Sequence, residues 1–320
     1  MTPRQKKLTV AVLLGGDSSE REVSLMSGRA VVQALNPKQY RVLVFDPAFE
    51  LAKLVRNAPR IDVALVMLHG GHGENGAIQG LLDLLGIPYQ CAGVLGCALA
   101  MDKPRAKLAY REAGLPVARE VVLYRHRPKP VATLLEHLNP PVVIKPAGEG
   151  SSVGISIVRY KKYLAPALKL AFKMDERVLV EEFLPGREVT CAVLGNRDPE
   201  PLPLVEIRPT EKYAFFDYEA KYLPGASEEV CPAPLDEETT RQIQQMAVTA
   251  HQALGLKGYS RSDFILTERG PIILETNTVP GMTQTSLFPQ AAAAAGISFS
   301  ALMDRLIELA LEDARPGRRR

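Results

Sequence analysis

The chain has 320 residues, long enough for two or three domains, each with its own core. It is 46 % apolar and 23 % charged, an ordinary water-soluble composition, and no apolar run reaches the length of a membrane span. The net charge of +3 arises at the ends: Arg4, Lys6, Lys7, Arg315, Arg318, Arg319 and Arg320 are seven positives, so the body between them carries −4, which argues against a nucleic-acid partner.

The opening MTPRQKK runs directly into a strand-like LTVAVLLGG without a small-residue cleavage site, so no secretory leader is expected and the cytoplasm is the default compartment. Strand and helix then alternate: LTVAVLLGG, VSLMSGRAVVQALN, YRVLVFDP, FELAKLVRN, DVALVMLHG and AIQGLLDLLG. This βαβαβα order predicts a parallel sheet covered by helices, with ligands beyond the carboxyl ends of its strands. Two glycine-rich polar loops fall there, GGDSSERE and HGGHGENG.

A second block opens with the helix MDKPRAKLAYREAG. It continues through VAREVVLYR (strand), PVATLLEHLN (helix), PVVIKPA (strand), the loop GEGSSVG, ISIVRY (strand), APALKLAFKMDE (helix) and RVLVEEFL (strand), an α+β pattern. The third block has strands EVTCAVLG and PLPLVEI, then a long irregular stretch, RPTEKYAFFDYEAKYLPGASEEVCPAP. A loop of that length inside a compact domain is usually functional. A helix capped by Asp236 spans 236–256, a hairpin joins YSRSDFILT to IILETN through ERGP, and Ser298 opens a last amphipathic helix. The tail RPGRRR is expected to be disordered. Cys91, Cys97, Cys191 and Cys231 form no C-x-x-C pair and have no histidine at zinc spacing; Cys91 and Cys191 read as core.

Three segments carry candidate chemistry. In the hairpin, Glu275 and Asn277 share a strand parity and antiparallel pairing brings Asp263 beside them. That is an all-oxygen donor set suited to magnesium or manganese, although the residues alone also allow a surface hairpin with solvated acids. In KPAGEGSSVG, Gly148, Gly150 and Gly154 let backbone amides approach an anion, Ser151 and Ser152 add donors and Lys145 a point charge. It is not a Walker A loop, and an ordinary β-hairpin loop with a snorkelling lysine fits it too. In LVEEFLPGRE, the extended backbone can offer a carbonyl and an amide to an adenine edge, Glu181 can accept from the exocyclic amine, and Glu188 can take the ribose hydroxyls. An edge strand with solvated acids is the plainer reading of that segment.

Together, Lys103, Lys145, the glycine-serine loop, the EEFL hinge and the Asp263, Glu275, Asn277 trio resemble the ATP-grasp enzymes. GGDSSEREVS, LHGGHGENG, MDK, EGSSVG, DYEAKY, SRSDF and LETNTVPGMTQTS, in that order over residues 8–312, narrow the resemblance to the D-alanine–D-alanine ligase family. It implies an α/β fold with an N-terminal parallel αβ domain (1–101) and two α+β subdomains sandwiching ATP. These are a central one (102–184) and a C-terminal one (185–314) with a lid loop near 210–231, followed by the basic tail 315–320.

The resemblance further implies ATP and D-alanine as substrates, two Mg2+ or Mn2+ ions on Asp263, Glu275 and Asn277, a monovalent cation, and a homodimer without nucleic-acid or membrane partners. Lys103, Lys145 and Lys221 match phosphate-binding lysines; Glu181, Glu182, Phe183, Leu184 and Glu188 match the nucleoside pocket. Glu20 matches the carboxylate holding the first D-alanine's ammonium, and His69 a histidine near that substrate's carboxylate. Arg261 and the amide of Gly281 match the oxyanion donors, and Ser286 and Leu287 the second D-alanine's site. Ser151 and Tyr222 match a network with Glu20 that pins the lid. His72, Asn75, Glu182 and Phe216 depart from the family pattern. D-alanine–D-lactate and D-alanine–D-serine ligases remain the alternative activities, with a nucleotide-binding module without turnover as another class. A dinucleotide oxidoreductase lacks its G-x-G-x-x-G after the first strand, where GGDSSE stands.

Overall fold

The structure is a computed structural model that describes residues 7–127, 131–148, 154–209 and 227–313. Strands β1 (Leu8–Leu13), β2 (Tyr40–Phe45) and β3 (Val63–Val66) form a parallel sheet in the order β2-β1-β3. Helices α1 (Arg21–Ala34) and α2 (Pro47–Asn57) make the crossovers, α2 starting at Asp46, whose side chain accepts from the Ala48 amide. The four residues of β3 are all buried, as a parallel strand covered on both faces requires. Past β3 the chain forms α3 (Gly71–Glu74), α4 (Ala77–Leu85) and α5 (Val94–Met101). The expected βαβαβα order is therefore present, with both glycine-rich loops at carboxyl ends of strands.

The next unit begins with α6 (Lys103–Glu112), then β4 (Glu120–Tyr124), α7 (Val131–His137), β5 (Val142–Pro146), β6 (Ser156–Val158), α8 (Leu164–Ala171) and β7 (Arg177–Glu182). Its strands pair antiparallel in the order β4-β7-β5-β6. The last sheet contains β8 (Arg187–Leu194), β9 (Glu200–Pro201), β10 (Val205–Pro209), β11 (Ser227–Val230), β12 (Tyr259–Thr267) and β13 (Gly270–Asn277), ordered β11-β10-β8-β12-β13 with β9 on β8. Helix α9 (Glu237–Ala253) packs on it, capped by the Asp236 side chain at the Thr239 amide. Helices α10 (Leu287–Ala294) and α11 (Phe299–Glu312) end the described chain, α11 capped by Ser298 at the Ala301 amide.

Several expectations are corrected. PLPLVEI is two strands, because Pro203 leaves the ladder between β9 and β10. The stretch expected to be irregular through residue 234 contains β11, which pairs antiparallel with β10 from Glu206↔Val230 to Pro209↔Ser227. Helices α5 and α10 had no amphipathic signal: VLGCALAM is apolar all round, and LFPQAAAA is alanine-rich. Among the described residues no helix is long and apolar enough to cross a membrane.

One core joins the parallel sheet to the C-terminal helices: Val10, Leu13, Leu65 and Met67 share it with Val279, Met282, Phe288 and Leu306. A second, around Tyr110, Val189, Ile243 and Phe264, lies between α6, α9 and the last sheet. The chain thus returns from β13 to the first sheet, and the turn after β13 is seated in the N-terminal core.

Candidate active site

Hairpin β12–β13 places Asp263 opposite Glu275 and Arg261 opposite Asn277. The ladder shifts after Asp263, since Phe264 pairs with Ile273, which leaves Leu274 without a cross-strand partner. Such a bulge re-aims the side chains beside it. The Asp263 carboxylate accepts from Arg261 Nε and Nη2 at 2.9 Å each, from Thr190 Oγ1 at 2.7 Å and from Asn277 Nδ2 at 3.2 Å. All of its lone-pair directions thus face a donor. Glu275 is more open, its side chain 28 % exposed with Oε2 at 3.8 Å from Lys103 Nζ. A small open depression lined by Glu74, Met101, Lys103, Glu275, Asn277 and Thr278 lies over it. Glu275 and Asn277 lie on one edge of this depression, with Asp263 opposite Glu275 across the hairpin, so the donor set fits a hard dication. Loading one would require the Asn277 amide to turn its oxygen inward and Arg261 to withdraw from part of the Asp263 carboxylate.

Lys103 begins α6, with Asp102 as its N-cap, and its amide donates to the Ala147 carbonyl at 3.2 Å. This fixes the base of Lys103 against the end of β5. Lys145 lies on β5 and reaches diagonally to Glu181 of β7, Nζ to Oε2 at 2.7 Å. The other Glu181 oxygen takes Lys107 of α6. Lys107 also donates to Glu120 Oε2 at 2.9 Å. Glu120 and Glu181 are direct cross-strand partners, an arrangement that repels unless a cation stands between them. Burial would push the Glu181 carboxyl up, but the charges of Lys145 and Lys107 outweigh it and hold its pKa at about 2. Burial would lower Lys145, and the charges of Glu181 and Glu275 keep it raised instead.

Sequence reasoning did not single out Lys107. The signal was present: Lys103, Lys107 and Arg111 recur at i, i+4 and i+8, one face of α6. Arg111 Nη2 also pairs with Glu120.

At the hinge, Leu184 packs with Ala118 and Ile272 in a small apolar cluster. The amides of Glu182 and Phe183 donate to the Arg119 and Pro141 carbonyls at 3.0 and 3.2 Å, so both are used inside the protein. Glu188 lies on β8 opposite Ile265 of β12. The Glu182 departure has a local reason: its carboxylate meets Arg119 Nε at 3.0 Å and Arg269 Nη2 at 3.3 Å.

At the carboxyl ends of the parallel strands, Ser18 joins the two glycine-rich loops. Its hydroxyl donates to the His69 carbonyl at 2.5 Å and accepts from the Glu20 amide at 3.1 Å. Gly70 has φ +67°, and a Cβ there would stand 3.0 Å from Glu20 Oε1, so the loop needs glycine at that point. Glu20, a buried side chain, therefore lies against the loop carrying His69. His72 is exposed and sits 3.4 Å from Asp17, while Asn75 Oδ1 accepts from the Ala77 amide at 3.0 Å, as an aspartate there also would. In the turn after β13, a Cβ on Gly281 would lie 3.0 Å from Ser286 Oγ, so these two predicted residues adjoin. Leu287 is brought there by its backbone at the start of α10; its side chain lies in the N-terminal core. Ser151, Phe216, Lys221 and Tyr222 lie outside the described residues, as do residues 210–226 of the expected lid and the tail 315–320.

Models of the D-ala D-ala ligase C-terminus and N-terminus match residues 109–308 and residues 9–50 and 47–92. The chain belongs to the D-alanine–D-alanine ligase family. It is 57 % identical to the D-alanine–D-alanine ligase of Syntrophobacter fumaroxidans, over 96 % of this chain and 99 % of that protein. It is 51 % identical to that of Desulfotalea psychrophila, over 98 % of each. Among solved structures, the D-alanine–D-alanine ligase of Bacillus anthracis complexed with ATP superimposes with a TM-score of 0.84 at 32 % identity, covering 95 % of this chain and 98 % of that one. A D-Ala:D-Ser ligase from Enterococcus faecalis gives 0.83 at 34 % identity, covering 95 % and 100 %. The fold is therefore that of an ATP-grasp ligase, and the parallel sheet and the two antiparallel sheets described above are its parts.

Proposed function

We propose that this chain joins two D-alanine molecules into D-alanyl-D-alanine, using ATP and releasing ADP and phosphate, as a step toward a peptidoglycan precursor. The observation that carries the reading is the register of β12 against β13, which collects Asp263, Glu275, Asn277 and Arg261 beside Lys103. A carboxylate resists attack by an amine because oxide is a poor leaving group. Transfer of the γ-phosphoryl group makes an acyl phosphate, which an amine can attack. That transfer needs positioning and neutralisation of charge. Lys103 and Lys145 supply two cations, with Lys221 as the third. Mg2+ or Mn2+ held by Asp263, Glu275 and Asn277 would neutralise the phosphate oxygens, and a monovalent cation would be a further ion of the site. Glu181 to Leu184 and Glu188 hold the nucleoside, the apolar cluster under Leu184 forming its floor.

Glu20 pairs with the ammonium of the first D-alanine, and His69 lines the same end. The second D-alanine sits between Ser286 and the first amide of α10, and attacks as the neutral amine. The oxyanion of the tetrahedral intermediate is met by Arg261 and the Gly281 amide. Acyl phosphates hydrolyse, so water must be excluded, and the part of the expected segment that precedes β11, with Ser151 and Tyr222 tying it to Glu20, is the lid. The enzyme works in the cytoplasm as a homodimer.

A second reading, D-alanine–D-serine ligation, is favoured by the Enterococcus faecalis neighbour, whereas the more similar relatives are D-alanine–D-alanine ligases. The test measures phosphate release with D-alanine, D-serine, D-lactate and L-alanine, and separates the products by chromatography. D-alanine alone should give the highest rate. Mainly mixed dipeptide or depsipeptide from mixed substrates would overturn the substrate assignment. Tyr222→Phe should shift the product ratio toward D-lactate at lower pH.

A further inference from the structure

The turn that follows β13 is clipped by residues of the N-terminal unit. His69 Nδ1 lies 2.9 Å from the Val279 carbonyl oxygen, and Ser27 Oγ lies 2.9 Å from His69 Nε2. The Met282 amide donates to Ser27 Oγ at 3.2 Å. A carbonyl brings no proton, so Nδ1 carries one and donates it. Ser27 Oγ accepts from Met282, which leaves its own hydrogen for Nε2. Both ring nitrogens are then used inside the protein, with Glu74 Oε1 a further neighbour 3.8 Å from Nδ1. Ser27 is 0 % and His69 4 % exposed, so water does not compete for these bonds. The two anchored backbone groups, at residues 279 and 282, flank Pro280 and Gly281.

We propose that Ser27 and His69 form a clip that sets the position of the 279–282 turn, making Ser27 a positioning residue for the Gly281 amide. This rests on the reading of that amide as an oxyanion donor. Ser27 comes from α1, which Glu20 opens, and His69 from the loop beside Glu20. The clip therefore ties the end that holds the first substrate to the amide that meets its carbonyl oxygen in the tetrahedral intermediate. A misplacement of about 1 Å at such a donor costs on the order of 100-fold in rate. While the clip is intact, His69 has no ring nitrogen to offer a substrate, and it acts through the turn.

The test is Ser27→Ala, with Ser27→Cys as a second variant that keeps a weak donor and acceptor of similar size. Amide hydrogen exchange at Met282, kcat, KM for ATP, and affinity for a phosphinate analogue of the tetrahedral intermediate are measured in the full chain. Ser27→Ala should speed Met282 exchange, lower kcat by about 10–100-fold, weaken the analogue similarly and leave KM for ATP within about twofold. Ser27→Cys should fall between Ser27→Ala and the natural protein. Unchanged Met282 exchange would overturn the clip. Faster exchange with unchanged kcat and analogue affinity would overturn the positioning role, whereas faster exchange with lower kcat and unchanged analogue affinity would keep that role and overturn the oxyanion reading of Gly281. An equal rise in KM for ATP would overturn the positioning role in favour of general loosening. Should Ser27→Ala not fold, the same readouts on Ser27→Cys decide the matter.

Discussion

Two clusters of carboxylates lie close together in this molecule, and they are built for opposite ends. Glu120 and Glu181 face each other across β4 and β7, buried, with Lys107 between them and Lys145 on the far oxygen. Asp263 and Glu275 face each other across β12 and β13 in the same way, yet among the described residues no lysine stands between them; Lys103 is 3.8 Å from Glu275 and Arg261 lies to the side of Asp263. The first cluster is buried and, within the protein alone, balances its own charge. The second is set against Arg261 and Lys103 and borders an open depression, so Glu275 can be reached from outside. An opposed carboxylate pair is therefore not a functional sign by itself; what stands between the two acids, and whether solvent reaches them, decides.

The sharpest way to break the comparison is to neutralise one acid in each cluster. In the open pair, Asp263→Asn or Glu275→Gln should lower phosphate release by about 1,000-fold or more, since several kcal/mol of charge stabilisation goes with the dication. Urea unfolding should lose about 1–3 kcal/mol in Asp263→Asn, which leaves the mostly buried Arg261 guanidinium with a neutral partner, and less in Glu275→Gln, whose side chain is more open. Phosphate release near the natural rate at saturating magnesium would remove the distinction between the clusters.

In the closed pair the order of effects reverses. Lys107→Met leaves Glu120 and Glu181 opposed and buried, and should cost about 3–5 kcal/mol of unfolding free energy, the usual penalty for stranding a buried charge. Equilibrium urea unfolding reads this directly. A loss under about 1 kcal/mol would mean that solvent reaches the cluster and that its burial does not govern its energetics.

How much of this contrast could be read from the sequence differs between the two clusters. The open pair lies on one hairpin, and strand parity with a short turn is enough to place Asp263 beside Glu275 and Asn277. The closed pair joins β4, β5, β7 and α6, and no local period announces that Glu120 will pair in register with Glu181. For the same reason the parallel sheet was legible from its alternation, while α5 and α10 were not: they are apolar or alanine-rich without a polar face, and α5 leaves Val94 and Leu95 exposed, so no period separates its inner from its outer side. Strand β11 was hidden because its partner β10 lies across the expected lid, so only tertiary pairing reveals it. The chemistry of the turn at 279–282 was legible only as a Pro-Gly motif. Its anchoring by Ser27 and His69 spans 255 and 210 residues of sequence.

Acid should separate the clusters more gently. Glu181 has its pKa lowered from 4.5 to about 2, since the two lysines outweigh the effect of burial. A carboxyl with a depressed folded pKa stabilises fully above its unfolded value and loses that contribution as pH falls toward the folded one. Stability from Glu181 is thus complete above about pH 4.5 and declines from there toward about pH 2. In Lys107→Met the folded pKa of Glu181 rises, so this decline should be shallower, measured against that variant's own stability at neutral pH. Urea midpoints at several pH values between 5 and 2.5 give the slopes. Equal slopes for the two proteins would mean that Lys107 does not hold Glu181 ionised.

The smallest expected effect concerns Glu182, next to Glu181 but on the opposite face of β7. Its side chain is 13 % exposed, and its partners Arg119 and Arg269 are 72 % and 62 % exposed. A lysine, which the family resemblance leads one to expect at this position, would here meet two guanidinium groups and leave the Arg119 amide without the Oε1 acceptor that lies 3.1 Å from it. The pairs are open to solvent and worth about 0–1 kcal/mol each. Glu182→Lys should therefore lower unfolding free energy by about 1 kcal/mol and raise KM for ATP by less than about threefold, since the hinge backbone bonds to Arg119 and Pro141 remain. Adding Arg269→Glu should recover part of the loss by restoring one opposite-charge pair, and the double-mutant cycle measures that coupling. If Glu182→Lys is neutral by itself, the two arginines do not explain why this chain carries a glutamate there. If the cycle shows coupling of about 0.5 kcal/mol or more, the arginines and the glutamate form one unit. In either case the buried Glu181, one residue away, should keep its depressed pKa, because its charge partners are Lys107 and Lys145 on the other side of the strand.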